Sequence, residues 1–299
     1  MTLEPFMIFF GWFAAAAFIG VSAFKIVKVA TMPLNLRWEV YPVPHEAEEK
    51  RGYGGSYMED VDWSKKPRAA SIVPEFVEMG AEIFALKKVK TYNVYGIWFF
   101  SMAMHWGIYL YFGWLLLLVV GNLIPLAALD VLATVVGLAS FILGTFGSLA
   151  LVVKRATNAD LHLYTAPIDY FNLLFITAFF VMSLASWLTH FSFAAHKAYI
   201  GSVLFFRPTA IPFATLLAFF LFESFMVYMP FTKLIHYFAK YFTFHHSLWD
   251  DEYSAKGSAS DQKIIQQLAY RVNWSGPHIV AGKTWLEQAQ NAATESGKK

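Results

Sequence analysis

The sequence predicts an all-α fold: an integral membrane five-helix bundle with a cytoplasmic loop and a C-terminal tail. Three observations predict it. Of the 299 residues, 57% are hydrophobic and only 15% charged, where a soluble domain averages about 25% charged. The apolar residues gather into five blocks, each near the ~20 residues that a bilayer core demands. The cations, finally, sit on one side. With the N-terminus outside, only Lys197 and Arg207 of the 23 Lys and Arg residues stand in the external loops, as the positive-inside rule requires. Lys87, Lys88, Lys90, Lys154 and Arg155 decide this orientation without help from the tail. The expected location is the inner (cytoplasmic) membrane, with the C-terminus cytoplasmic.

Residues 1–30 carry the first span. Pro5 to Val29 is apolar, with Lys25 and Lys28 following it, the reverse of a cleaved signal peptide, so the helix is retained. Residues 31–90 form a polar cytoplasmic segment. Within it, Phe76, Met79, Ile83 and Leu86 recur near helical spacing with charges between them, which predicts an amphipathic surface helix over Ile72 to Val89. Residues 91–240 hold the other spans: Val94 to Val120, Ile124 to Val153, Ile168 to Trp187, and Ile211 to about Ile235. Gly121, Asn122 and Pro125 mark a tight turn between the second and third. Gly137, Ser140, Gly144, Gly147 and Ser148 let helices, or a flat macrocycle, approach the third span closely; helix packing is the preferred reading. Asn158 to Pro167 and Thr189 to Pro208 read as loops, and His190 and His196 in the second of these read as wetted. Residues 241–299 are a cytoplasmic tail that keeps Trp249, Trp274 and Trp285 together with Ile264, Ile265, Leu268 and Ile279. A disordered tail is poorer in such residues.

Several classes are excluded early. Without cysteine, the chain has no disulfide, no thiolate zinc site, no Cys-ligated iron–sulfur cluster and no covalently attached haem. A net charge of +2 gives no nucleic-acid preference. A small transporter is not excluded but is a weak reading, since the spans lack the paired broken helices or hydropathy repeats that transporters show.

Two histidines remain. His105 stands inside the apolar run FFSMAMHWGIYLYFGW, and His236 follows Met229-Pro230-Phe231-Thr232-Lys233-Leu234-Ile235. An intramembrane histidine is costly unless partnered and is functional by default. Either one alone could be satisfied by a hydroxyl or carbonyl. Together they make a donor set for six-coordinate haem iron, one imidazole from each side. Trp98, Phe99, Phe100, Trp106, Phe112, Tyr237 and Phe238 could wall the ring or simply pack. A second helix starting at Lys90 would carry His105 ~22 Å inward, deeper than His236, unless that helix starts late or Pro230 bends the fifth.

The pieces His105-Trp106-Gly107-Ile108, Val153-Lys154-Arg155-Ala156-Thr157-Asn158 and Pro230-Phe231-Thr232-Lys233-Leu234-Ile235-His236 resemble the gamma-subunit family of respiratory nitrate reductase. The stretches LRWEVYPVPHE and YGGSYMEDVDW and the WSGPH and GKTW tail pieces resemble its relatives that accompany heterodisulfide-reductase-like iron–sulfur subunits in sulfate and sulfur metabolism. The resemblance implies a membrane cytochrome b that exchanges electrons between a quinone, its substrate, and a cytoplasmic iron–sulfur partner. It further implies haem b on His105 and His236 as iron ligands, Arg155 as a cofactor-binding residue, and other membrane and multihaem cytochrome subunits as further partners. The family's usual pattern binds two haems. Here the second pair of positions is Leu115 and Ala218, neither of which ligates iron, so one haem b is expected and two at the most. In a continuous fifth helix, Ala218 would share the face of His236 and Glu223 would lie about 220° away. Glu223 and Tyr228 are the candidate catalytic residues, where protons released on quinol oxidation could be taken up; for Glu223 a hydrogen-bonded carboxylic acid between helices is an equal reading. The alternative reading is a non-redox membrane anchor that docks a cytoplasmic or membrane partner.

Overall fold

The computed structural model describes residues 3–32, 42–46, 52–67, 70–250 and 255–296. Most of the stretch LRWEVYPVPHE, together with Asp251 and Glu252, lies outside the described residues. Among the described residues all regular structure is helical, joined by short turns and three isolated β-bridges. The five expected spans are there: α1 (Leu3–Ala30), α4 (Trp98–Leu123), α5 (Ala127–Thr157), α7 (Pro167–His190) and α9 (Phe213–Tyr228, continuing through a 3₁₀ turn to Phe231). Each is long and apolar enough to cross a bilayer, and the chain is a multi-pass membrane protein. Large apolar side chains such as Phe9, Leu116, Val135 and Leu174 are exposed along their outward faces, as a lipid solvent allows.

Short helices lie between and after the spans: α2 (Ile72–Ala85), α3 (Lys87–Thr91), α6 (Ala159–Leu163), α8 (Ala194–Phe205), α10 (His236–Phe242), α11 (Ala259–Leu268) and α12 (Trp285–Ser296). The chain divides into two compact units. The first is Met1–Ala23 with Met79–Ile235, and the second is Phe24–Glu78 with His236–Lys299. Residues 79–90 fall in the first unit with the spans, and residues 236–299 fall in the second.

Within the first unit, α4 and α5 are in backbone contact. A Cβ on Gly107 would stand 2.4 Å from the Gly144 nitrogen, and one on Gly147 would stand 2.3 Å from the Met104 nitrogen. The small residues of the third span therefore serve helix packing, not the approach of a macrocycle. Ser140 Oγ donates to the Gly107 carbonyl (2.7 Å) and Thr177 Oγ1 to Ser148 Oγ (2.9 Å), while Ser186 and Thr215 pair at 2.8 Å. Such interhelical bonds replace the hydrophobic drive that lipid does not supply.

The amphipathic helix is real but shorter than expected. It breaks at Leu86, whose φ is +47°, and the last-turn carbonyls that a helix leaves unsatisfied are taken up by α4. Trp98 Nε1 donates to Ala85 O (2.8 Å), Trp106 Nε1 to Phe84 O (3.2 Å) and Tyr109 Oη to Ile83 O (3.0 Å). Trp98 and Trp106, read as candidate walls of a cofactor, thus hold α2 against α4. Buried Glu82 accepts from the Lys88 backbone amide, closing the corner.

In the second unit, His45 Nδ1 stands 2.9 Å from Glu75 Oε1, and His245 Nε2 stands 3.7 Å from Glu75 Oε2. These residues line a cavity of about 470 Å³ with Tyr57, Trp249 and Asp250. Trp249 stacks on Phe244 at 4.6 Å and is buried.

Candidate functional site

His105 lies in the second turn of α4. The helix starts at Trp98, whose amide is capped by Asn93 Oδ1 at 3.0 Å. His105 is therefore seven residues into the helix, about 10 Å along its axis, not the greater depth measured from Lys90. His105 Nδ1 stands 2.7 Å from the Ser101 carbonyl. A carbonyl can only accept, so Nδ1 carries the proton. This is the tautomer and the backbone anchoring that metal-ligating histidines use. Tyr109 packs edge-on against the ring at 6.2 Å.

His236 opens α10 in the second unit and is exposed. The fifth span does bend, as Pro230 suggested. Its α-helix stops at Tyr228, a 3₁₀ turn holds the buried Pro230, Thr232 is extended, and a second 3₁₀ turn, Lys233–Ile235, precedes His236. No continuous helix connects Ala218 with His236, so the shared face expected for the two has no structural basis. The chain before His236 is held by an ion pair from Lys233 to Asp169. Asp169 caps the start of α7 through the Ala166 amide at 3.0 Å.

Arg155 ends α5 beside this ion pair. Its Nη1 donates to Thr165 Oγ1 (3.2 Å), its carbonyl accepts from Tyr170 Oη (2.9 Å), and its buried Nε has no partner among the described residues. An orphaned, buried guanidinium N–H is a ready donor for an anionic group. The tautomer of His105 and this donor are what the residues offer a haem: an imidazole nitrogen for iron and a cation for a propionate. The fit extends to His236 by residue type alone.

Glu223 and Tyr228 do not form one site. Tyr228 Oη donates to Asn172 Oδ1 on α7 at 2.7 Å, whereas Glu223 Oε1 accepts from Tyr199 Oη on α8 at 2.6 Å. Glu223 is buried, and Gly11 of α1 makes room for it: a Cβ there would stand 3.1 Å from Oε1. The reading of residues 189–208 as a loop is corrected by α8. His190 is exposed at the end of α7, but His196 is 1% exposed, enclosed by Trp114, Phe193 and Phe219 with ring centroids 5.1 to 5.9 Å away. Around Leu115 and Ala218 the interior is filled by side chains, with Tyr111, Trp114, Phe219 and Phe222 all buried. Sequence reasoning missed Asp169, Asn172 and Tyr199. Asp169 alone left a signal, as an acid three residues after Ala166 at the start of an apolar run.

On the bundle surface, Phe100, Phe146, Leu149, Ala150 and Val153 line a groove of about 370 Å³ with Lys154 and Thr157 at its polar end. Comparison with known proteins gives no match: no family model, no curated protein and no solved structure aligns with this chain.

Proposed function

We propose that this chain is a membrane cytochrome b subunit that passes electrons between a membrane quinone and a cytoplasmic iron–sulfur partner of the heterodisulfide-reductase-like kind. One haem b is held by His105 and His236, with Arg155 beside it. The observation that carries the reading is His105, an intramembrane imidazole whose ring is anchored by Nδ1 at 2.7 Å from the Ser101 carbonyl. The haem would supply one-electron storage between a two-electron quinol and a one-electron cluster. The protein's own part is orientation. Ser101 fixes the ring of His105, and the Asp169–Lys233 pair fixes the chain three residues before His236. The groove topped by Lys154 is apolar enough for a quinone tail and offers one cation to its head. The N-terminus lies outside and the C-terminus in the cytoplasm, which the distribution of Lys and Arg supports.

A second reading, a non-redox anchor, is favoured by the packed interior around Leu115 and Ala218. The absorption spectrum of the purified protein separates the two. The cytochrome reading expects the sharp bands of reduced low-spin b-type haem. A colourless, folded protein purified from haem-replete cells leaves only the anchor.

A further inference from the structure

Three buried residues with unpartnered polar atoms gather around one ring in the first unit. Among the described residues, Trp114 Nε1, both ring nitrogens of His196, and Glu223 Oε2 have no hydrogen-bond partner. Trp114 and His196 pack on Phe219 at 6.2 and 5.9 Å, Tyr199 stacks on the same ring at 4.2 Å, and Glu223 follows one turn later on α9. Apolar packing alone does not account for this, because each orphaned polar group costs about 1–3 kcal/mol. Ionisable side chains inside a bilayer mark ion or proton routes by default.

The hydrogen-bond count at Tyr199 shows what such a cluster does. Its single O–H faces two acceptors, Glu223 Oε1 at 2.6 Å and the Met7 carbonyl at 3.3 Å. With Glu223 ionised, Tyr199 donates to the carboxylate and Met7 is left without it. With a proton on Glu223, the carboxyl donates to Tyr199 Oη and Tyr199 turns to Met7. The two arrangements differ by one proton and one hydroxyl rotation. Tyr111, bonded to Ser183 at 3.4 Å, is the other ionisable side chain facing the cluster.

A cavity lies beside Phe193, whose ring packs on His196. It holds about 200 Å³ and is lined by Asp130, Thr134, Ser192, Phe193 and Lys197, and the Asp130–Lys197 pair (2.6 Å) marks its mouth. Phe193 lines this cavity, with Leu118, Ala133 and Ala194, and also packs on His196 at 5.1 Å. His196 and Tyr199 lie one turn apart on α8.

We propose that Glu223, Tyr199 and His196 form a proton-carrying site inside the bundle, filled from the Asp130–Lys197 cavity past Phe193. A proton entering from water binds one nitrogen of His196 while the other nitrogen releases its own inward. The imidazole, unbonded at both nitrogens among the described residues, turns to deliver this proton to Tyr199 Oη, which gives its own to Glu223, and Glu223 changes from carboxylate to carboxylic acid. No electron moves in this step, so the site stands whether or not the electron-transfer reading does.

The test uses the full chain in lipid nanodiscs with no electron donor present. Infrared absorption in the carboxylic C=O region is followed across pH, and after transfer from H₂O to D₂O. The expected result is a band that Glu223→Gln removes and Tyr199→Phe shifts. Its deuteration should be slowed about a hundredfold by His196→Phe, the scale of losing a positioned proton carrier, and hastened by Phe193→Ala. If no band in that region depends on Glu223 at any pH, the proposal is overturned. It is equally overturned if the band deuterates at the native rate in Phe193→Ala and in a folded His196→Phe. Should His196→Phe fail to fold, the rate in Phe193→Ala decides.

Discussion

A histidine inside an apolar helix is costly, and what it bonds to decides what it can do. His105 spends Nδ1 on the Ser101 carbonyl at 2.7 Å, a backbone partner that no side-chain substitution removes. We expect His105→Ala and His236→Ala each to abolish the low-spin haem spectrum while the protein still folds and inserts. Unchanged haem content in His105→Ala would show the assignment to be wrong. His105 was legible because a basic ring among Met, Ala and Trp has few bland explanations. His196 was misread because the residues around it carry Lys197, Arg207 and Pro208, which look like the marks of a loop. Its burial comes from Phe193, Trp114 and Phe219 closing over it, a property of three separate elements that no local pattern carries. Tyr199 was hidden for the same reason: one tyrosine among 15 gives no sign that its hydroxyl will meet a carboxyl on another helix.

Besides interhelical hydroxyl bonds, two further devices hold helices together in this protein. Between α4 and α5 the device is close approach of glycine backbones. Gly144 also lies under the Phe180 ring, where a Cβ would stand 2.3 Å away. We expect Gly144→Val to cost about 1–3 kcal/mol or more through overpacking, lowering the thermal midpoint in detergent. Gly113→Val, where a Cβ meets nothing within 4 Å, should leave it near the native value. Equal midpoints for the two variants would refute close approach as the basis of the α4–α5 contact. Between α2 and α4 the device is a row of side-chain donors on spent helix carbonyls. The spans themselves were legible, since a bilayer sets their length and their solvent. The late start of α4 was not. The apolar run continues back through Val94 and Ile97, and only the Asn93 cap sets the first turn at Trp98. The bend at Pro230 was legible because proline cannot continue a helix ladder.

At the scale of the whole molecule, haem stoichiometry is the quantity that bears on both readings. Leu115 and Ala218 offer no ligand, so we expect close to one haem per chain by pyridine haemochrome against quantified protein. A value near two would require a further ligand pair, and buried His196 would be the first residue to replace.

The tail carries the remaining prediction. The structure sorts the tail's tryptophans by exposure. Trp249 is 3% exposed, stacked on Phe244 beside the Glu75–His245 pair, and so braces its own unit. Trp274 is 52% exposed, and Ile265, Tyr270, Val280 and Leu286 are exposed with it. Large apolar side chains left in water on a polar stretch are what an interface covers, and tryptophan is the commonest anchor among them. The tail folds in one compact unit with Phe24–Glu78, so removing its outer part tests docking without removing Trp249. Truncation after Glu252 should therefore keep the haem spectrum and lose the partner on purification, and Trp274→Ala in the full chain should weaken co-purification by about tenfold or more, the scale of a hot-spot residue. Full recovery of the partner with both proteins would place the docking surface elsewhere, and the exposed residues of 265–286 would then cover something other than the iron–sulfur subunit.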